Sequence, residues 1–244
     1  MNTVKTGHLI VAGTGPGNPE SLTLKVKNEI EAADILFVPK SELKNESLAL
    51  KIASPFIKAE QNVRELVYPM SRDQGKLKQY WKQAGSEVGS WLKEHPQKKA
   101  VYLTLGDPSI YSTWSYLKQA LLDQGFCSST WTILPGISSF SYGAAILGKE
   151  LCIGQENFCL INMPQSLESL QNYTQLFQKI VVMKIGKQWD TLRKWLKQLA
   201  LDQYTFVVTR AGLENQGAKL LAEIPPGTIE YLSLAIIDVT KEMS

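Results

Sequence analysis

Gly106-Asp107-Pro108 interrupts the apolar run Ala100-Val101-Tyr102-Leu103-Thr104-Leu105, and Ser109-Ile110-Tyr111-Ser112-Thr113 follows it. Gly106 lets a ligand approach the backbone closely, and Pro108 stiffens the exit. Asp107 contributes a carboxylate. Ser112 and Thr113 bring hydroxyls close to a helix start, where backbone N–H groups lack partners. A loop at the carboxyl end of a strand is where open α/β sheets bind ligands. An ordinary strand–turn–helix connection would use the same turn residues, so the meaning of the segment depends on what accompanies it.

Two companions stand elsewhere in the chain. His8-Leu9-Ile10-Val11-Ala12 runs into Gly13-Thr14-Gly15-Pro16-Gly17-Asn18-Pro19. The spacing G-x-G-x-G departs from the dinucleotide fingerprint, and Pro16 lacks a donor that a pyrophosphate would use. These glycines could equally serve only a tight turn. Asn18 and Pro19 read as N-cap and first helical residue. Thr130-Trp131-Thr132-Ile133-Leu134 likewise runs into Pro135-Gly136-Ile137-Ser138-Ser139.

The elements that must position these turns alternate. Strands are expected at 8–12, 34–38, 66–68, 100–105 and 130–134, with helices from 20, over 47–57, 73–94 and 110–124, and through 144–147. Such a βαβαβαβαβ order calls for a mostly parallel sheet with right-handed crossovers. The three glycine turns then fall at one sheet edge. Beyond Gly148, strands at 158–161, 180–185 and 204–209 alternate with helices at 167–178 and 189–199. Residues 220–222 and 229–237 are expected to pair as a hairpin across Pro225-Pro226-Gly227. The fold class is therefore two α/β domains, 1–135 with a mostly parallel sheet and 136–244 with a mixed sheet.

The chain has 244 residues, 44% hydrophobic and 20% charged, with a net charge of +3. That suffices for a sizeable core and is too little charge to suggest electrostatic nucleic-acid binding. Trp81 and Trp91 fall at core-facing helical spacing. Cys127, Cys152 and Cys159 form no C-x-x-C pair, and His8 and His95 lie far apart. Neither a disulfide framework nor a metal site is expected. No apolar run approaches the ~20 residues of a membrane helix, and the N-terminus lacks a signal-peptide core. The expected setting is the cytoplasm, without a membrane or nucleic-acid partner.

Taken in order, these pieces resemble the tetrapyrrole methylase family. The likeness rests on Gly13 to Pro19 with Glu20-Ser21-Leu22-Thr23, on Gly106-Asp107-Pro108, on Pro135 to Ser139 and on Tyr231-Leu232-Ser233-Leu234. Pro69-Met70-Ser71-Arg72-Asp73, Val182-Met183-Lys184-Ile185-Gly186 and Thr209-Arg210-Ala211-Gly212-Leu213 add to it, as does the full string from Leu103 to Thr113. They are similar to the branch acting on the C-20 meso carbon of precorrin-2. Asn18 stands where the family usually has Asp, and Val38 where Tyr is common.

The resemblance implies the class III methyltransferase fold, with S-adenosylmethionine bound in a cleft between the domains and S-adenosylhomocysteine as product. Backbone groups at Pro16, Gly106, Asp107, Ile110, Ser139, Met183, Ala211 and Leu232 would hold this donor, with the hydroxyls of Ser112 and Thr113. Asp107 and Tyr111 would assist proton movement at the methylated carbon. The tetrapyrrole substrate carries eight carboxylates, for which Lys40, Arg72, Lys184 and Arg210 are the candidate contacts. A homodimer is also implied. Rival readings are a family member acting at another position, a nicotinamide-dependent oxidoreductase and a non-catalytic binding module.

Overall fold

The computed structural model describes residues 6–41, 46–71, 73–227 and 229–240. The chain divides into two compact units, Met1–Ser138 and Ser139–Ser244.

The first unit is built on β1 (His8–Gly13), β2 (Ile35–Lys40), β3 (Asn62–Val67), β4 (Lys99–Thr104) and β5 (Trp131–Leu134), connected through α1 (Leu24–Glu31), α2 (Leu48–Ala53), α3 (Gln74–Glu94) and α4 (Trp114–Leu122). The strands lie in the order β3-β2-β4-β1-β5 and every pairing is parallel. Alternate residues of each strand face opposite sides. Leu9, Val11, Ile35, Phe37, Ala100 and Tyr102 pack against α3 and α4, while Ile10, Ala12, Leu36, Val38, Val101 and Leu103 pack against α1 and α2. The central strands are buried on both faces and therefore read as continuous apolar runs.

Local sequence explains the helix boundaries. Asp73 caps α3 through Gly75 and Lys76 N–H. Gly85 then lets α3 approach α4 closely, since a Cβ there would stand 2.5 Å from the Cβ of Ala120, and Gly89 leaves room for Gln124 and Phe126 beyond the end of α4. Trp81 stacks on Tyr116 at 4.1 Å, so this aromatic serves the contact between the two helices.

In the second unit, β6 (Phe158–Asn162), β7 (Lys179–Met183), β8 (Thr205–Thr209), β9 (Gly217–Leu220) and β10 (Ser233–Asp238) are ordered β6-β7-β10-β8-β9. This sheet is mixed, because β10 runs antiparallel to both β7 and β8. Helices α6 (Leu167–Leu176) and α7 (Trp189–Gln198) cover one face, through Leu170, Trp189, Leu192 and Leu196. Helix α5 (Ser139–Leu147) packs on the other through Ala144.

Several expectations are corrected. The hairpin does not form: β10 has both edges occupied by β7 and β8, and β9 pairs with β8 instead. Residues Leu221–Glu223 form a 3-10 turn. Helix α4 begins at Trp114, because Asp107 organises the preceding residues as a turn and Tyr111 adopts φ 48°. Strand β7 stops at Met183, since Lys184 has φ 59°. Strand β3 starts at Asn62, and its polar Arg64 and Glu65 hid it from an apolar-run reading.

The β7–β10 register places Lys179 opposite Asp238, and their charges meet at 2.5 Å with side chains 11% and 12% exposed. Lys179→Ala should cost roughly 3–5 kcal/mol by leaving the buried carboxylate uncompensated. Denaturant unfolding would read this, and a Lys179→Met, Asp238→Leu double variant should recover most of the loss.

Candidate active site

The crossovers put α1, which follows β1, and α4, which follows β4, on opposite faces of the first sheet. Because β1 and β4 are neighbours, the topological switch point lies between them, where such sheets bind ligands. The turns leaving these two strands are joined there. Gly15 N–H donates to the Gly106 carbonyl at 3.2 Å, and Gly106 N–H returns a bond to the Gly15 carbonyl at 2.8 Å. Thr14 adds two bonds to the Thr104 carbonyl, from its N–H at 2.9 Å and its hydroxyl at 3.1 Å.

The third turn closes on the same point. A Cβ on Gly136 would lie 2.2 Å from the Gly106 carbonyl oxygen, and one on Gly13 would lie 2.6 Å from that oxygen and 2.7 Å from Gly136 N. Real Cβ atoms do not come so close, so both positions exclude every other residue. At Gly106 the requirement is conformational. Its φ is 70°, and no heavy atom stands within 4 Å of where a Cβ would be, leaving open space over that backbone.

Asp107 fastens the arrangement. Its Oδ2 accepts Gly136 N–H at 2.9 Å, while Oδ1 accepts Ser109 N–H at 2.8 Å and the Ser109 hydroxyl. Desolvation by burial pushes the carboxyl pKa up, but these bonds to the ionised form together outweigh it and hold the value below the ordinary one. Asp107 is therefore a carboxylate at neutral pH.

Ser112 and Thr113 turn their hydroxyls toward the sheet. Ser112 Oγ meets Thr104 Oγ1 at 2.7 Å and accepts Trp114 N–H at 3.1 Å. Thr113 Oγ1 meets the Tyr102 hydroxyl at 2.6 Å and makes no capping bond to α4. Between the turn and these anchors, Ile110 is half-buried, and Tyr111 is 48% exposed in the left-handed region. Pro16 is buried beside the Gly15 bridge. Lys40 ends β2 at the same edge, and its ammonium pairs with Glu65 on β3. Arg72 lies outside the described residues.

The other expected contacts gather in the second unit. Strands β7 and β8 end, and β10 begins, at one edge of its sheet: Met183 pairs with Leu234, and Thr209 with Ser233. Met183, Lys184, Arg210, Ala211 and Leu232 thus share that edge, with Arg210 N–H donating to the Leu232 carbonyl at 2.7 Å. Arg210 also has positive φ, 51°, and its side chain reaches the Glu214 carbonyl at 3.1 Å and Glu230 at 3.9 Å. Ser139 opens α5.

Sequence reasoning did not single out Tyr102, Thr104 or Thr14, which support the turn from below. Tyr102 and Thr104 read as ordinary strand residues, and Thr14 as part of the glycine turn. In the second unit Met163 N–H bonds the Met183 carbonyl at 3.1 Å. Among the described residues, no group of three or more His, Cys, Asp or Glu side chains could hold a metal ion.

A sequence profile for tetrapyrrole (corrin/porphyrin) methylases matches residues 8–224. The chain belongs to that family. Among methylase relatives, a probable cobalt-precorrin-2 C(20)-methyltransferase of Methanocaldococcus jannaschii is 34% identical over 92% of this chain and 93% of its own length. The cobalt-precorrin-2 C(20)-methyltransferase of Salmonella typhimurium is 26% identical, covering 86% of each. Uroporphyrin-III C-methyltransferase of Thermus thermophilus, solved with S-adenosyl homocysteine, has a similar fold: TM-score 0.64, 18% identity, 96% of this chain and 99% of that one.

The Asp107 clamp predicts a pH dependence. Its folded pKa is depressed, so its contribution to stability is complete above the unfolded value, about 3.9. It is lost as pH falls through the lower folded value. Carboxyl NMR should place the Asp107 midpoint below that of a free aspartate, and exchange of the Gly136 amide should quicken as Asp107 protonates. A midpoint at or above the free value would contradict the clamp.

Proposed function

We propose that this chain transfers a methyl group from S-adenosylmethionine to the C-20 meso carbon of precorrin-2 or its cobalt complex, in cobalamin biosynthesis. The observation that carries the reading is the Gly106 turn. Its backbone is fixed by Gly15 and Asp107, and the space over it is open. The names of the two similar methylases support the substrate, and the S-adenosyl homocysteine bound to the Thermus protein supports the donor.

When bound, the donor supplies an electrophilic methyl on a positively charged sulfur, and the electron-rich reduced macrocycle acts as its own nucleophile. The chain's task is then alignment and exclusion of water. Gly106, Asp107, Ile110 and Pro16 offer backbone to the donor, and the open space at Gly106 fits such an approach. The family resemblance adds Ser139, Met183, Ala211 and Leu232 as donor contacts, with the Met183 thioether suited to an adenine face. The Asp107 carboxylate favours a sulfonium electrostatically while it holds Gly136. With three bonds on its oxygens and a depressed pKa it is a poor base. Tyr111 is the group we assign to proton movement at the meso carbon.

Lys40, Arg72, Lys184 and Arg210 are assigned to the substrate carboxylates. Two of them are already engaged by acids, Lys40 by Glu65 and Arg210 by Glu230. A substrate carboxylate would compete with Glu230, which is 60% exposed, more readily than with Glu65. The reading places the enzyme in the cytoplasm as a homodimer, as the family resemblance implies.

An anaerobic assay with methyl-labelled donor, run in parallel on metal-free precorrin-2 and on its cobalt complex, tests this function. Label should enter a trimethylated macrocycle, and the faster reaction identifies the natural substrate. Donor binding without label in either product would leave the family intact and reject the substrate. In the same assay, Lys184→Glu with Arg210→Glu should raise KM for the macrocycle at least tenfold more than KM for the donor. Equal effects on both would remove these cations from the substrate site.

A further inference from the structure

The loop that the donor is proposed to meet is held by two buried strand residues. Tyr102 and Thr104 lie two positions apart on β4, so both project to the α3/α4 face of the sheet. Each hydroxyl meets the hydroxyl of a loop residue: Tyr102 with Thr113 at 2.6 Å, Thr104 with Ser112 at 2.7 Å. The spacing of the strand pair, i and i+2, thus fixes two consecutive loop residues against the sheet. Tyr102 is 0% exposed, Thr104 2% and Ser112 7%.

The remaining bonds of this cluster link it to both sides of the switch point. The Thr104 carbonyl takes the N–H and hydroxyl of Thr14 from the opening glycine turn, while its own hydroxyl takes Ser112 from the Gly106 turn. The Ser112 hydroxyl accepts Trp114 N–H and its carbonyl accepts the Ser115 hydroxyl, so the same anchor sets the first turn of α4. Thr113 itself makes no capping bond to α4, its hydroxyl being turned to Tyr102. A threonine at that position ordinarily favours capping. Here the cap is forgone, and the loop gains an anchor. Tyr111, immediately before the two anchored residues, is held at φ 48°, a conformation a tyrosine keeps only when its surroundings enforce it.

From these contacts we infer that Tyr102 and Thr104 are positioning residues for methyl-donor binding, acting through Thr113 and Ser112 to set the height and strain of the loop that carries Asp107, Ile110 and Tyr111. This rests on the donor site described under the proposed function. Burial keeps the Tyr102 phenol protonated far into the alkaline range, so the anchor does not titrate near neutrality.

The test is a double-mutant cycle on donor affinity, with S-adenosylmethionine and S-adenosylhomocysteine as probes in calorimetry and the parent chain measured first. Tyr102→Phe and Thr113→Val should each weaken binding roughly fivefold to tenfold, the size of one lost hydrogen bond. The double variant should be no weaker than the worse single one. Thr113→Ser, which keeps the hydroxyl, should bind within about twofold of the parent. Thr104→Val and Ser112→Ala should show the same coupling. Additive effects, a Thr113→Ser variant as weak as Thr113→Val, or a lowered unfolding midpoint with unchanged affinity would each overturn the inference. A parent chain that binds neither probe would overturn the donor site itself, and this inference with it.

Discussion

Three stretches of backbone pass one another at the carboxyl ends of β4, β1 and β5 too closely for any side chain. The carbonyl oxygen of Gly106 is the point they share, facing the α-carbons of Gly13 and Gly136. This constraint sets the terms for the rest of the first unit. Strands β4, β1 and β5 must be neighbours in that order, and the two connections flanking the switch point must leave on opposite faces. The cores on the two faces supply the force that holds the strands there, because each is built from large side chains withdrawn almost wholly from water.

Local strain accompanies the fixed turns. Among the described residues five non-glycine residues have positive φ, and three of them, Tyr111, Lys184 and Arg210, follow directly on the strand ends or turns that form the two sheet edges. Each such conformation costs on the order of 1 kcal/mol and persists only where neighbouring bonds over-determine it. For Arg210 those bonds are its N–H to Leu232 and its side chain to Glu214. For Tyr111 they are the Asp107 turn before it and the two hydroxyl anchors after it. In both places hydrogen bonds made by the residue or by its immediate neighbours hold that residue in the left-handed turn.

The parts of this architecture legible in the sequence are those with a one-dimensional signal. Buried parallel strands such as 8–12 and 100–105 are apolar runs, and their glycine-rich exits stand out. The family motifs also located both sheet edges. The failures have physical causes. Strand β3 is an edge strand whose exposed positions carry Arg64 and Glu65, so no apolar run announces it. The terminal pairing was misjudged because Pro225-Pro226-Gly227 looks like a hairpin turn, whereas β10 is drawn between β7 and β8, where Leu234, Ala235, Ile236 and Ile237 can be buried on both faces. The direction of a hydroxyl is invisible in one dimension, so nothing in the sequence showed that Ser112 and Thr113 meet the hydroxyls of Thr104 and Tyr102.

The hydrogen-bond inventory also distinguishes the chemistry of this edge from that of a nucleotide-binding sheet. A phosphate cradle needs backbone N–H groups that are free to converge on an anion. Here Thr14, Gly15, Gly106, Ser109, Ile110 and Gly136 have all committed their N–H groups to protein acceptors, and Pro16 has none to give. Acceptor capacity remains along these turns, since each carbonyl has two lone pairs and Asp107 is ionised. An edge with an ionised carboxylate and these N–H groups committed disfavours a pyrophosphate and suits a ligand bearing positive charge and N–H donors. A sulfonium nucleoside has both, and a nicotinamide dinucleotide brings two phosphates that would find these six N–H groups already engaged. The glycines of the opening turn therefore perform a different task from those of a dinucleotide loop: they allow backbones to meet each other, and in meeting they consume the N–H groups that a phosphate would require.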